Sequence, residues 1–243
     1  MSDHAPSNYE TRIADSYDTW FRGQPTQATV DRLAELAGDG PLLELGVGTG
    51  RVAIPLAHRG LPVHGVDASE SMVARLRDKP GGDEVAVTIG DFSEVPVSGS
   101  FSVIYAATAT FFELPSQEQQ VSCFANVARH LTPGGFFVLD GLLPDAHVDS
   151  SGQGMRTMQD AEQLVMNTRT FDRATQRLQS RYVIVSPAGI EFMQTAFRYA
   201  WPGELDLMAR MVGLELHERY GSWSGAPFNR ASTMHVSVYR SAT

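Results

Sequence analysis

Three glycines fall within five positions of "LLELGVGTGR" (residues 42–51), directly behind an apolar run that carries Glu44. Glycine reaches positive φ and lets the backbone touch a ligand, but it costs about 0.5 to 1 kcal/mol wherever it merely sits in regular structure. In an open parallel sheet, ligands bind beyond the carboxyl ends of the strands, and the turn after the first strand is the usual contact. Gly46, Gly48 and Gly50 therefore predict a strand, a ligand-contacting bend and a helix, in that order.

The text downstream agrees with such a sheet. From residue 42 to 143 short apolar runs alternate with amphipathic stretches, the pattern of stacked βαβ units. "PLLELG", "LPVHGVD", "EVAVTIGD", "SFSVIYAA" and "GFFVLDGLL" read as five strands. "RVAIPLAHRG", "SESMVARLRDK" (with Ser69 as its cap) and "EQQVSCFANVARHL" read as helices. From about 160 to 200 three alternating runs joined by "DRAT" and "SPAG" predict a three-stranded antiparallel insertion. "PGELDLMARMVG" then makes a helix, and "LELHERYGSW" with "STMHVSVYR" a closing strand pair. The first 40 residues read as helices outside the sheet, "YETRIADSYDTWF" and "TVDRLAELAG".

Size and charge narrow the function. At 243 residues the chain suits one large domain with an insertion. No apolar stretch approaches the ~20 residues of a membrane span. The acidic, apolar-poor start resembles no signal or transit peptide, so a cytoplasmic protein is expected. A net charge of −9 without a Lys/Arg cluster argues against nucleic acid as a partner. The single cysteine, Cys123, reads as a small buried hydrophobe.

The spacing of the glycines separates two ligand classes. Dinucleotide folds use G-x-G-x-x-G, with pyrophosphate on a helix N-terminus. Here the third glycine comes one residue early, and Glu44 precedes the set. A carboxylate at the mouth repels a pyrophosphate and suits an ammonium or sulfonium, and S-adenosylmethionine carries both. Asp67 ends the second strand, 21 residues after Gly46, where a carboxylate accepts hydrogen bonds from ribose hydroxyls. Asp91 and Phe92 end the third strand, placed to take an adenine amino group and cover its face.

In "LLELGVGTGR", "VHGVDASESMV", "IGDF", "FSVIYAA" and "HLTPGGFFVLD", in that order, the chain resembles the class I S-adenosylmethionine-dependent methyltransferases over residues 40–143. The resemblance implies an α/β, Rossmann-like sheet of seven mostly parallel strands with the last one antiparallel. It also implies methionine held near Glu44 to Gly50 and near Ala107, ribose on Asp67, and adenine near Met72, Asp91 and Phe92. Val47, Arg51 and Ala68 complete those stretches, and Tyr17 is expected to close over the cofactor. The implied organisation is a helical lid over 1–40, a cofactor-binding domain over 41–150 and 202–243, and the insertion, 151–201, over the acceptor. Amino-sugar and natural-product enzymes of the family share that layout.

Methyl transfer from a sulfonium is a direct displacement that yields S-adenosylhomocysteine, and a general base is needed only for a protonated acceptor. Absences exclude neighbouring chemistries. The fourth strand ends "YAATATFF", without the oxygen ligands of a magnesium site. It also lacks the Asn-Pro-Pro-aromatic run of base-amino methylation, and Cys123 lacks a Pro-Cys setting. No metal is expected. For a small-molecule acceptor the expected groups are Glu113 as base, with His147 a weaker choice, and Trp20, Phe111, Arg198 and Tyr199 as lining. Glu113 reads equally well as a helix N-terminal acid, and Tyr17 and Trp20 as packing aromatics. A plain strand face is the competing account of Arg198 and Tyr199. N versus O methylation and a monomer or homodimer stay open, as do a non-methylating cyclase or regulatory module and an NAD-linked oxidoreductase.

Overall fold

The computed structural model describes residues 14, 17–18, 26–149, 152–159 and 163–241. Helix α1 (Gln27–Ala37) precedes β1 (Leu42–Leu45), α2 (Ala53–Ala57), β2 (Val63–Asp67), α3 (Glu70–Arg77) and β3 (Ala86–Ile89). Strand β4 (Phe101–Ala106), a short 3₁₀ turn (Thr110–Glu113), α4 (Gln117–His130) and β5 (Leu131–Leu142) follow. After the insertion come α5 (Pro202–Met211), β10 (Leu214–Tyr220) and β11 (Met234–Ser241).

These strands form a seven-stranded sheet in the order β10-β11-β5-β4-β1-β2-β3, parallel except for β11, which runs antiparallel to both neighbours. Both faces of the central strands are covered, which is why β1, β4 and β5 read as apolar runs. Successive residues serve opposite cores. Leu42, Val103 and Val138 join Val30, Leu33 and Ile54 under α1 and α2. Leu43, Ile104 and Phe137 join Phe124, Leu205 and Met208 under α4 and α5. Strand order reverses between β1 and β4, and the glycine loop lies at that switch point, where a crevice is left for a ligand.

The insertion is larger than the sequence predicts. Strands β7 (Leu164–Asp172), β8 (Arg177–Ser186) and β9 (Gly189–Arg198) are the three expected runs, but β6 (Gln153–Gln159) pairs antiparallel with β7 and makes four. "QGMRTMQ" has its apolar residues three apart, so it carries no period-two signal. Its backbone ladder with β7 forms the strand. The sheet reaches the main domain through its β9 end: Arg198 is ion-paired with Glu204 at 2.7 Å and hydrogen-bonded to Gln120, joining β9 to α5 and α4. Arg177 on β8 donates to the Pro115 carbonyl at 3.2 Å. Among the described residues no helix is long and apolar enough to cross a membrane.

Candidate functional site

The loop after β1 folds back onto β2. Gly46 and Val47 donate to the Val66 carbonyl at 2.8 and 3.0 Å, and Asp67 accepts from the Gly48 N–H at 2.7 Å and the Ser69 N–H at 2.8 Å. Gly46, Gly48 and Gly50 all have positive φ, +74°, +52° and +78°. A Cβ at Gly46 lies 2.3 Å from Thr110 Cγ2, and one at Gly50 2.8 Å from Ile54 Cδ1, so these two allow close packing. At Gly48 the nearest atom is Met72 Cε at 3.4 Å. The bare backbone of Gly48 thus faces space bounded by Met72 and Asp67, open to the close approach of a ligand. Val47 points away, buried over Gly65, where a Cβ lies 2.6 Å from its own.

Burial pushes the Asp67 carboxyl above its ordinary value, against the Ser69 and Gly48 N–H bonds. Glu44 differs from the expectation of a carboxylate at the mouth. As an even-numbered residue of β1 it points to the α1–α2 face beneath the loop and is 4% exposed, with Tyr105 donating to it at 2.9 Å. Burial pushes its pKa up to about 8, while the Tyr105 hydrogen bond and the Arg51 charge act the other way. Near neutrality it is mostly protonated.

A second wall comes from the loop after β4. Thr108 and Ala109 are non-glycine residues in the left-handed region, φ +67° and +61°. Asp140 on β5 holds them there: it is 5% exposed and accepts from the Ala109 N–H at 2.6 Å and from Trp223 Nε1 at 2.7 Å. Burial raises its pKa, opposed by these bonds. Arg51, beside the glycine loop, donates to Thr108 Oγ1. Ala107 is buried at the start of this wall. Backbone strain of this kind clusters at functional sites.

At the far end, α3 begins with Ser69 accepting from Met72 N at 3.3 Å, with Ala68 exposed beside it. Asp91 is exposed and accepts from Ser93 N at 2.7 Å, and Phe92 packs half-buried against the core. From the N-terminus, Tyr17 feels the charges of Glu113, Arg51, Asp18 and Asp67, and burial first, then Glu113, push its pKa up to about 12. Next to it Asp18 accepts from Thr49 Oγ1 at 2.7 Å and pairs with Lys79 at 2.6 Å, while Lys79 also donates to the Thr49 carbonyl at 2.8 Å. Trp20 lies outside the described residues.

The expected acceptor residues separate. Glu113 closes the 3₁₀ turn beyond β4, half-buried and within electrostatic reach of Tyr17. The His147 ring donates from Nε2 to the Thr233 carbonyl at 2.9 Å, tying down the loop after β5. Phe111 is fully buried against Phe124 (5.4 Å) and Phe137 (6.3 Å), so its ring is core and presents no surface to an acceptor. Arg198 is committed to its partly buried ion pair with Glu204. Tyr199 is buried too, but it borders a cleft. Cys123 is buried, with its thiol pKa raised by burial.

Tyr105, Asp140, Trp223, Asp18, Thr49 and Lys79 are absent from the sequence-based set. Asp140 alone carried a signal, as a strand-end acid of the same kind as Asp67 and Asp91.

Residues 42–135 match the family described as "Methyltransferase domain". Cypemycin N-terminal methyltransferase of Streptomyces sp is 31% identical over 239 residues, covering 96% of each chain. The structure of the CcbJ methyltransferase from Streptomyces caelestis superimposes with a TM-score of 0.87 at 38% identity, covering 95% of this chain and 96% of that one. SAM-bound CalS10 from Micromonospora echinaspora, an amino pentose methyltransferase, gives 0.69 at 20% identity over 95% and 97%.

Proposed function

The chain belongs to the class I S-adenosylmethionine-dependent methyltransferases, and from that premise we propose that it methylates a nitrogen of a small amine-bearing metabolite, with oxygen the second choice. S-adenosylmethionine, when bound, supplies a sulfonium methyl whose transfer leaves a neutral thioether. The carrying observation is the open backbone at Gly48, flanked by Asp67 and Met72 and joined through Arg51 to the strained loop after β4.

The chain's own work in this reading is to bind and orient. Gly46, Val47, Gly48 and Gly50 present backbone to the amino-acid end, with Arg51 and Ala107 beside it. Asp67, held in place by the N–H groups of Gly48, Ser69 and Ala68, turns its carboxylate to the ribose hydroxyls. Ala68, Met72, Asp91 and Phe92 surround the base. Holding nucleophile and methyl in line supplies about 7 to 11 kcal/mol of the barrier reduction. Tyr17 closes over the reacting centre and stays protonated, since its pKa stands at about 12. Glu113 accepts the proton of an acceptor that arrives as an ammonium, and His147 is the weaker choice. Residues 1–40 act as the lid and the insertion within 151–201 covers the acceptor. The names of the relatives support nitrogen: one methylates an N-terminus, another an amino pentose.

Calorimetric titration with S-adenosylmethionine and S-adenosylhomocysteine, followed by transfer of labelled methyl to paired amine and hydroxyl compounds, tests this reading. Binding, with products heavier by one methylene, is expected. Absence of binding at millimolar cofactor overturns it, and binding without transfer to any amine overturns the nitrogen assignment.

A further inference from the structure

The inserted sheet has two unlike faces. Phe171, Leu178 and Phe197 turn one face onto the core of the main domain. The alternate residues make the other face, which points away from that domain, and the strand register sets them in rows. Leu164, Val185 and Ile190 stand side by side in the row next to the β8–β9 turn, and Met166, Val183 and Phe192 in the row behind it. Ile190 is 62% exposed and Phe192 79%. The open face of an antiparallel sheet is ordinarily polar. Two contiguous apolar rows left to water mark an interaction surface.

The charge on this face selects its partner. Each copy of the chain carries −9, so two copies repel one another over most of their surface. Among the described residues this face holds no Asp or Glu from 153–159 on β6 to 190–196 on β9, and its one charged side chain, Arg181, stands in the row beyond Phe192. It offers no cluster of charge for an acidic or basic partner, and it is the surface on which a second copy is least repelled. Its size suits that partner as well. Four strands about 4.8 Å apart with rows about 7 Å apart give a face of roughly 500 Å², so two copies cover on the order of 1,000 Å² before side-chain relief is added, enough for a specific interface.

We propose that the outer face of the inserted sheet docks against the same face of a second copy of the chain, sheet on sheet across a two-fold axis. Aligned sheets pack about 10 Å apart with their inward side chains interdigitated, which removes both apolar rows from water in each copy. The proposal is independent of cofactor and acceptor, because the face turns away from the main domain that carries the glycine loop.

Sedimentation velocity and light scattering on the full-length protein from about 1 to about 100 µM follow its mass across the range in which an interface of this size forms. Twice the monomer mass is expected. Phe192→Arg brings a like charge from each copy into the apolar rows and is expected to weaken pairing at least about 100-fold, with S-adenosylhomocysteine binding unchanged. Ile190→Glu, also at an exposed position, takes its place if Phe192→Arg fails to fold. Hydrogen exchange of the wild-type chain needs no variant: amides of 183–185 and 190–192 are expected to exchange severalfold more slowly at the highest concentration than at the lowest. A wild-type chain that stays monomeric at about 100 µM overturns the proposal, whether or not phosphatidylcholine vesicles then bind it. A dimer that persists in a folded Phe192→Arg or Ile190→Glu protein also overturns it, as does a wild-type dimer in which exchange at those amides does not depend on concentration.

Discussion

An alanine Cβ at position 46 stands 2.3 Å from Thr110 Cγ2, whereas one at position 48 meets only Met72 Cε at 3.4 Å. Both positions need positive φ, at about 1 to 2 kcal/mol for an L side chain. Gly46→Ala adds a clash and is expected to lose about 3 kcal/mol or more of stability. Gly48→Ala is expected to fold with a modest loss but to bind S-adenosylhomocysteine about tenfold or more weakly, as an added Cβ against the ligand requires. Melting curves with calorimetry on both variants check the contrast, and near-wild-type affinity in Gly48→Ala refutes it. Glu44 gives a pH prediction. Its carboxyl holds its proton up to about pH 8 in the folded chain and releases it near 4.5 when unfolded. Stability therefore falls as pH rises through that window, by up to about 1.4 kcal/mol per pH unit. Asp67 and Asp140 act in the same direction. Glu44→Gln removes one share of that slope, so urea unfolding is expected to show the variant gaining on the wild-type protein between pH 5 and 8. The glycine motif and the acid before it were legible in sequence, but the burial of that acid was not. Which face an even-numbered β1 residue takes depends on the helices that cover the sheet.

The loop after β4 shows how one element depends on others distant in the chain. Asp140 on β5 holds Ala109 and meets Trp223 from the β10–β11 connection. Asp140→Asn turns an acceptor oxygen into an N–H₂ facing an N–H, at a cost of about 1 to 3 kcal/mol for the group left unsatisfied. The expected result is a raised KM for S-adenosylmethionine with a smaller change in kcat, together with a shifted Trp223 emission. An unchanged KM with altered emission separates a structural anchor from a positioning residue. The five parallel strands and their helices were legible because burial on both faces writes apolar runs, and caps such as Ser69 punctuate them. Strand β6 was not, because an edge strand with one ladder needs no alternating face.

At the scale of the whole molecule, Asp18 is fastened to the glycine loop through Thr49 and Lys79. Partly exposed ion pairs contribute about 0.2 to 1 kcal/mol, so Asp18→Ala is expected to speed S-adenosylhomocysteine release by about two- to fivefold. Stopped-flow displacement measures it. Lys79→Met is expected to act alike, and the double variant to fall short of the sum because the contact is shared. What the sequence determined by itself was local: the glycine bend, the acids at strand ends, the helix caps and the apolar rhythm of the main sheet. Each is set within some ten residues by allowed φ, hydrogen-bond geometry or burial period. Tertiary structure decided which distant groups meet: Glu44 with Tyr105 across 61 positions, Asp140 with Trp223 across 83, and Asp18 with Thr49 across 31. Such pairs leave no period in the chain, because their geometry exists only after the sheet has brought its carboxyl edge together.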